Sequence, residues 1–152
     1  MSDVTADPVL DRISEALDLF NAGRRGEARS AFATIWTEIE TDGDPFHQCV
    51  LSHYMANAQD DPATELVWNR RALSAADSIV KERPDMASLS VLSLYPALHL
   101  NLADALFRSG DVPAASRQIH LARQASDGLT QDSHGEKIRG AIESLAARLP
   151  VA

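Results

Sequence analysis

Among 152 residues the chain carries a single cysteine, Cys49. No internal disulfide can form, so packing alone must hold the fold, and a lone thiol suits a reducing cytoplasm. Aromatic residues make up only 5%, and β-branched residues are sparse beside Ala, Leu, Arg, Glu and Asp. That leaves little material for a sheet and favours helix, because Ala and straight side chains lose little rotamer freedom there. No apolar run approaches the roughly 20 residues of a membrane-spanning helix, which argues against a membrane partner. The segment from Met1 to Pro8 is polar and acidic, without the basic and apolar stretches of a signal peptide, so cytoplasmic is the expected location. Basic residues occur as the pairs Arg24-Arg25 and Arg70-Arg71, never as a run. With a formal charge of −8, that speaks against nucleic acid, whose recognition needs clustered Lys and Arg to release counterions. The chain also lacks a GxSxG elbow and a glycine-rich phosphate loop.

What is present reads as one helical domain. Hydrophobic residues at 45% and charged residues at 24% are ordinary globular values. We place a single domain over residues 7–150, after a disordered N-terminus at 1–6. Asp7-Pro8, Asp44-Pro45 and Asp61-Pro62 mark helix starts: Asp accepts a bond from an orphan backbone N–H, and Pro in the first turn lacks a donor that would be unpaired anyway. Asp111-Val112-Pro113 is a near variant. Between these marks the apolar spacing is helical. Helix one carries Val9, Ile13, Ala16, Leu17 and Phe20; helix two carries Ala28, Phe32, Ile35, Trp36 and Ile39. A third runs from Pro45 to about Gln59 and a fourth from Pro62 to about Lys81, with Trp68, Ala72, Ala75, Ala76 and Ile79 on one side. Met86 to Arg108 is almost continuously apolar and predicts a buried helix that Pro96 kinks or splits. Two more follow, Val112 to about Ser126 and about Ser133 to Leu149, the last with Ile138, Ile142, Leu145 and Leu149 as a lid.

Short links at residues 21–24, 59–61 and 109–111 force consecutive helices to lie antiparallel, giving three helical hairpins. Laid over one another, the hairpins repeat. The third reads Asn101-Leu102-Ala103-Asp104-Ala105-Leu106-Phe107, then Gly110-Asp111, Ala115, Ile119 and Ala122. The first repeats it with Ala16, Leu19, Phe20, Gly23, Ala28, Phe32 and Ile35. The second is weaker, with Asp60 at the Gly position and Glu65 at the first Ala. These residues resemble the tetratricopeptide-repeat family, with a longer fourth helix and the lead-in to Pro96 stretching the period. Taken whole, the chain is also similar to a group of small uncharacterised bacterial tetratricopeptide-like proteins. The likeness is carried by His47 to His53, by Gln59-Asp60-Asp61-Pro62 with Glu65, Trp68 and Arg71-Ala72-Leu73, and by Tyr95-Pro96 through His99 to Asn101-Leu102-Ala103. It brings no known activity.

The resemblance implies an all-α, right-handed superhelix of stacked hairpins with a C-terminal capping helix. First helices of each pair would line a concave groove where peptide ligands lie. The family's best-known use, a Lys, Arg and Asn clamp on a peptide C-terminus, is not implied here: Ile13, Leu17, Leu51 and Ala97 fall at clamp positions, and Asn101 stands where an Arg is expected. The groove would instead be lined by polar groups amid apolar ones, His47, Tyr54, Asn57, Asn101 and Asp104, with His99 nearby as a groove residue or a core histidine with a backbone partner. Function is therefore expected to be non-enzymatic: an interaction module for a protein or peptide, with no cofactor and with homodimerisation an open expectation. A ligand-sensing relative of the tetratricopeptide regions of bacterial transcription activators is the alternative, ahead of a small helical metal protein or enzyme. Cys49 and His53, four apart on one helix face, with His99 approaching from a neighbour, are the only metal-like pattern, and no CxxC or HExxH accompanies them. Asp60, Asp61 and Glu65 gather three carboxylates at one turn, but Asp61 reads as a cap and the calcium-loop spacing is missing. Trp68 beside Arg70 and Arg71 reads as part of a packing stripe, ahead of a base-stacking site.

Overall fold

The computed structural model describes residues 7–82, 92, 94–128 and 132–150. Among them the chain forms seven α-helices and no strand: α1 (Pro8–Asn21), α2 (Arg25–Ile39), α3 (Pro45–Asn57), α4 (Pro62–Glu82), α5 (Tyr95–Arg108), α6 (Val112–Ala125) and α7 (Ser133–Arg148), with a 3₁₀ turn at Ser126–Gly128. The segment expected to be disordered, residues 1–6, lies outside the described residues, as does most of the apolar stretch between Met86 and Ser93.

Local chemistry sets the helix starts. Asp7 accepts from the amides of Val9 and Leu10, at 3.1 and 3.0 Å, and Asp44 accepts from Phe46 at 2.8 Å. Asp61 and Asp111 each accept from the amide three residues on, at 3.2 Å, and Asp132 from Gly135 at 2.9 Å. Each carboxylate satisfies an orphan donor and sits at the positive end of its helix. Pro96 falls in the first turn of α5, so it begins the described helix instead of kinking it.

Helices adjacent in sequence pack together: α1 on α2, α3 on α4, α5 on α6, and α7 on α6 and α5. Between these pairs, α2 and α1 touch α3, and α4 touches α5. The turns of the first and third pairs are the same object. In one, Leu19 and Phe20 carbonyls accept from the amides of Arg24 (2.9 Å) and Gly23 (3.0 Å); in the other, Leu106 and Phe107 accept from Asp111 (2.9 Å) and Gly110 (3.0 Å). This interlocked pattern needs a left-handed residue after the helix. Gly23 (φ 83°) and Gly110 (φ 90°) supply it without a Cβ penalty.

The turn after α3 is built differently. The link 58–61 is one residue longer, and no non-glycine residue among those described has positive φ. Its carbonyls are satisfied from outside: Arg29 donates to Ala58 O (3.1 Å), Arg25 to Gln59 O (3.0 Å), and both guanidiniums pair with the Asp60 carboxylate. Cations here also complement the negative end of α3, which has no basic residue in its own last turn. α3 returns the favour, because Gln48 donates to the carbonyls of Ile39 and Glu40 at the end of α2. Reciprocal capping thus joins the first pair to the second.

The core falls into three clusters along the chain. Ile13, Ala28, Phe32, Ile35, Leu51 and Met55 bury together at the N-terminal end. Cys49 joins Ala72, Ala75, Ala76 and Leu98 at the centre, and Leu102, Ala115, Ile119, Ile138, Ile142 and Leu145 close the C-terminal end. Alanines at 28, 72, 76, 103, 115 and 122 are fully buried, which lets helix axes approach closely. All four apolar residues of the expected lid are buried, so α7 covers the face that α5 and α6 leave open.

Candidate functional site

Helices α3, which has no Asp, Glu, Lys or Arg, and α5 carry the sequence-predicted polar groups, and the structure gives them distinct surroundings. His47, in the first turn of α3, bonds through Nε2 to Asp7 Oδ2 at 2.7 Å. That contact, ahead of the backbone bonds to Leu10 and Val9, holds the Asp7 carboxyl below its ordinary range. His47 is therefore a joint between α1 and α3. Tyr54 lies with its ring stacked on Phe32, centroids 6.4 Å apart, so much of it is packing surface. Asn57, at the end of α3, is exposed.

Asn101 and Asp104 come closest to forming a site. The Asn101 amide lies 3.3 Å from His53 Nδ1, linking α5 to α3, and its backbone carbonyl accepts from the buried Asn69 at 3.4 Å. Burial holds the His53 imidazole below its usual pKa, so its neutral form is favoured and Nδ1 is available as an acceptor. Asp104 Oδ2 accepts from Arg108 Nε at 2.9 Å, and the same guanidinium pairs with Glu65 of α4. Burial lifts the Glu65 carboxyl above its usual range, against the pull of Arg108.

Both residues open into a cleft of about 400 Å³ between α5 and α7. Leu100, Asn101 and Asp104 form one wall; Ala141, Ser144, Leu145 and Arg148 form the other. The spacings are i, i+1, i+4 on α5 and i, i+3, i+4, i+7 on α7, one stripe on each helix. Arg148 lies over the Phe107 ring, 4.9 Å from its centroid. The α7 wall could not be assigned from sequence, because Ser144 and Arg148 look like ordinary exposed positions until the lid is docked.

The other candidates separate. His99 bonds Gln118 of α6 at 2.7 Å and stacks on Tyr95, so its partner is a side chain and not the backbone. It does not turn toward Cys49, which is buried among alanines with its thiol pushed up to about 12 by burial and then by nearby Asp77. Among the described residues no group of three or more His, Cys, Asp or Glu could hold a metal ion. Of the three carboxylates near residue 60, Asp60 pairs with Arg25 and Arg29, Asp61 caps α4, and Glu65 turns to Arg108. Trp68 meets Trp36 edge to face at 5.1 Å, with Arg71 lying over both rings, which places it in the core. Ser52, fully buried on α3, has a hydroxyl with no hydrogen-bond partner among the described residues.

Among the described residues, no helix is long and apolar enough to cross a membrane. Comparison with protein-family models, with curated proteins and with solved structures gives no significant match.

Proposed function

We propose that this chain is a non-enzymatic interaction module of tetratricopeptide-like architecture, which binds a protein or peptide partner along the face shared by α3, α5 and α7. The single observation that carries the reading is the position of Asn101, which contacts His53 of α3 and also lines the α5–α7 cleft. The matched glycine turns at Gly23 and Gly110, and the buried alanines in corresponding positions of the first and third hairpins, support the repeat. The face has no Asp, Glu, Lys or Arg on α3 and is mixed on α5 and α7, which suits an extended segment offering both backbone hydrogen bonds and apolar side chains.

The test uses Asn57→Ala, Asn101→Ala and Asp104→Ala together, with Tyr54→Phe in a separate variant because the Tyr54 ring packs on Phe32. Partners captured by the wild-type chain are identified by mass spectrometry, and binding of the purified partner is then measured directly. The triple variant should stay folded, with a modestly lower melting temperature from the lost Asn101–His53 and Asp104–Arg108 contacts, and lose most of that affinity. Full affinity in a folded triple variant removes the reading.

A further inference from the structure

The α5–α7 cleft carries a carboxylate, Asp104, on one wall and a guanidinium, Arg148, on the other, and the partners of each decide what it has left to offer a ligand. On α5, Asp104 pairs with Arg108, whose guanidinium also pairs with Glu65 of α4. Asp104 uses Oδ2 for Arg108, so Oδ1 remains to accept. On α7, Arg148 has no carboxylate within ion-pair distance among the described residues; its one contact of note is the Phe107 ring beneath it. Stacking on an aromatic face fixes the plane of a guanidinium while leaving its edge N–H donors open. Asp104 and Arg148 thus border the same cleft without pairing with each other.

Between the charged groups the lining is aliphatic, from Leu100, Ala141 and Leu145, with the Ser144 hydroxyl and the Asn101 amide as neutral hydrogen-bonding groups. With one amide N–H directed to His53, Asn101 keeps a carbonyl oxygen and a second N–H for a ligand. A volume of about 400 Å³ is at the small end of ligand sites.

Going beyond the partner-binding reading, we infer that this cleft is a binding site for a small zwitterion with an aliphatic or aromatic side chain, of the apolar α-amino acid type. The ligand ammonium bonds Asp104 Oδ1, its carboxylate takes the Arg148 fork, and its side chain covers Leu100 and Leu145. A monovalent anion meets the Asp104 carboxylate, and a monovalent cation meets Arg148. Only a ligand bearing both charges is matched at both walls.

The experiment is a titration of the full chain with L-leucine, L-methionine and L-phenylalanine, followed by calorimetry and by backbone amide NMR. At least one should bind at millimolar concentration, perturb Asn101, Asp104, Ser144 and Arg148, and raise the melting temperature by mass action. L-leucinamide, which lacks the carboxylate, and isocaproate, which lacks the amine, should each bind about tenfold more weakly or worse, as should leucine to Arg148→Gln and Asp104→Asn. Ser144→Leu, which fills the cleft and leaves both charges in place, should abolish binding without lowering the melting temperature of the free protein. No binding by any of the three amino acids, equal binding of leucinamide or isocaproate, or undiminished binding to folded Arg148→Gln each overturns the inference.

Discussion

Replacing Gly110 by alanine isolates the feature on which the hairpin architecture rests. Gly110 sits at φ 90°, and a Cβ built there meets nothing within 4 Å. The substitution therefore adds no clash with the rest of the protein, and its whole cost is the left-handed backbone. For an alanine that conformation costs about 1–2 kcal/mol. Against this, alanine reduces the freedom of the unfolded chain, which favours folding by about 0.4–1 kcal/mol. The net expectation is a loss of about 1 kcal/mol, or about 2–4 °C in melting temperature for a chain of this length. Gly23→Ala, at φ 83° with equally open surroundings, should cost the same. The two turns lie in different hairpins, so the double variant should lose about 2 kcal/mol. Gly140→Ala is the opposite case, in the middle of exposed α7 with nothing near its Cβ, and should stabilise by about 0.5–1 kcal/mol. Urea and thermal melts followed by far-UV circular dichroism measure all four. A neutral or stabilising Gly110→Ala would mean that the left-handed turn is absent, and the hairpin reading would fall with it.

Three further outcomes follow from buried groups. The Cys49 thiol, pushed up to about 12 and buried, should resist alkylation in the native protein at neutral pH and react fully in denaturant; fast native labelling would refute its placement. Burial holds the His53 pKa in the folded chain below the ordinary imidazole value of about 6.5, so the unfolded chain takes up a proton first as pH falls. Its contribution to stability is fully present above about 6.5 and is lost as pH drops below that value. The His53 ring resonance should accordingly titrate below 6.5 by NMR, and a midpoint above it would contradict the burial. Ser52→Ala removes a buried hydroxyl that has no partner among the described residues, and should leave stability unchanged or raise it by up to about 1 kcal/mol in a urea melt; a loss of more than that would show that the hydroxyl is bonded after all.

Local signals carried much of the fold. Each Asp-Pro pair marks a helix start because the cap and the proline act within a single turn, and all three starts lie where those pairs put them. The stripe of Trp68, Ala72, Ala75, Ala76 and Ile79 is buried throughout, since a helix of known phase has only one apolar side to bury. The glycines at 23 and 110 were legible for the same reason: a residue that tolerates positive φ, placed just after a helix, implies the turn. Pro96 was half legible. A proline inside an apolar run must break regularity, but whether it kinks a helix or opens one depends on where the chain before it goes.

The site was legible only in fragments. Asn101 and Asp104 stand out as polar residues on an apolar helix, yet Tyr54 and His47 stood out equally and turned out to be tied to Phe32 and Asp7. Nothing within a helix says which polar group finds a partner on another element, because the partner lies far away along the chain: Arg108 reaches back to Glu65, and His53 forward to Asn101. The reciprocal capping between α2 and α3 was hidden for the same reason, Arg25 and Arg29 reading as surface charges until the end of α3 is brought beneath them. By itself, then, the sequence determined helix positions, buried faces and two of the three turns, all properties of contacts a few residues apart. Only the tertiary structure decided how the middle turn is closed, which charges are neutralised, and that Asp104 and Arg148 face one cleft. Those depend on the docking of helices distant in sequence, where a fraction of a turn in rotation exchanges one neighbour for another.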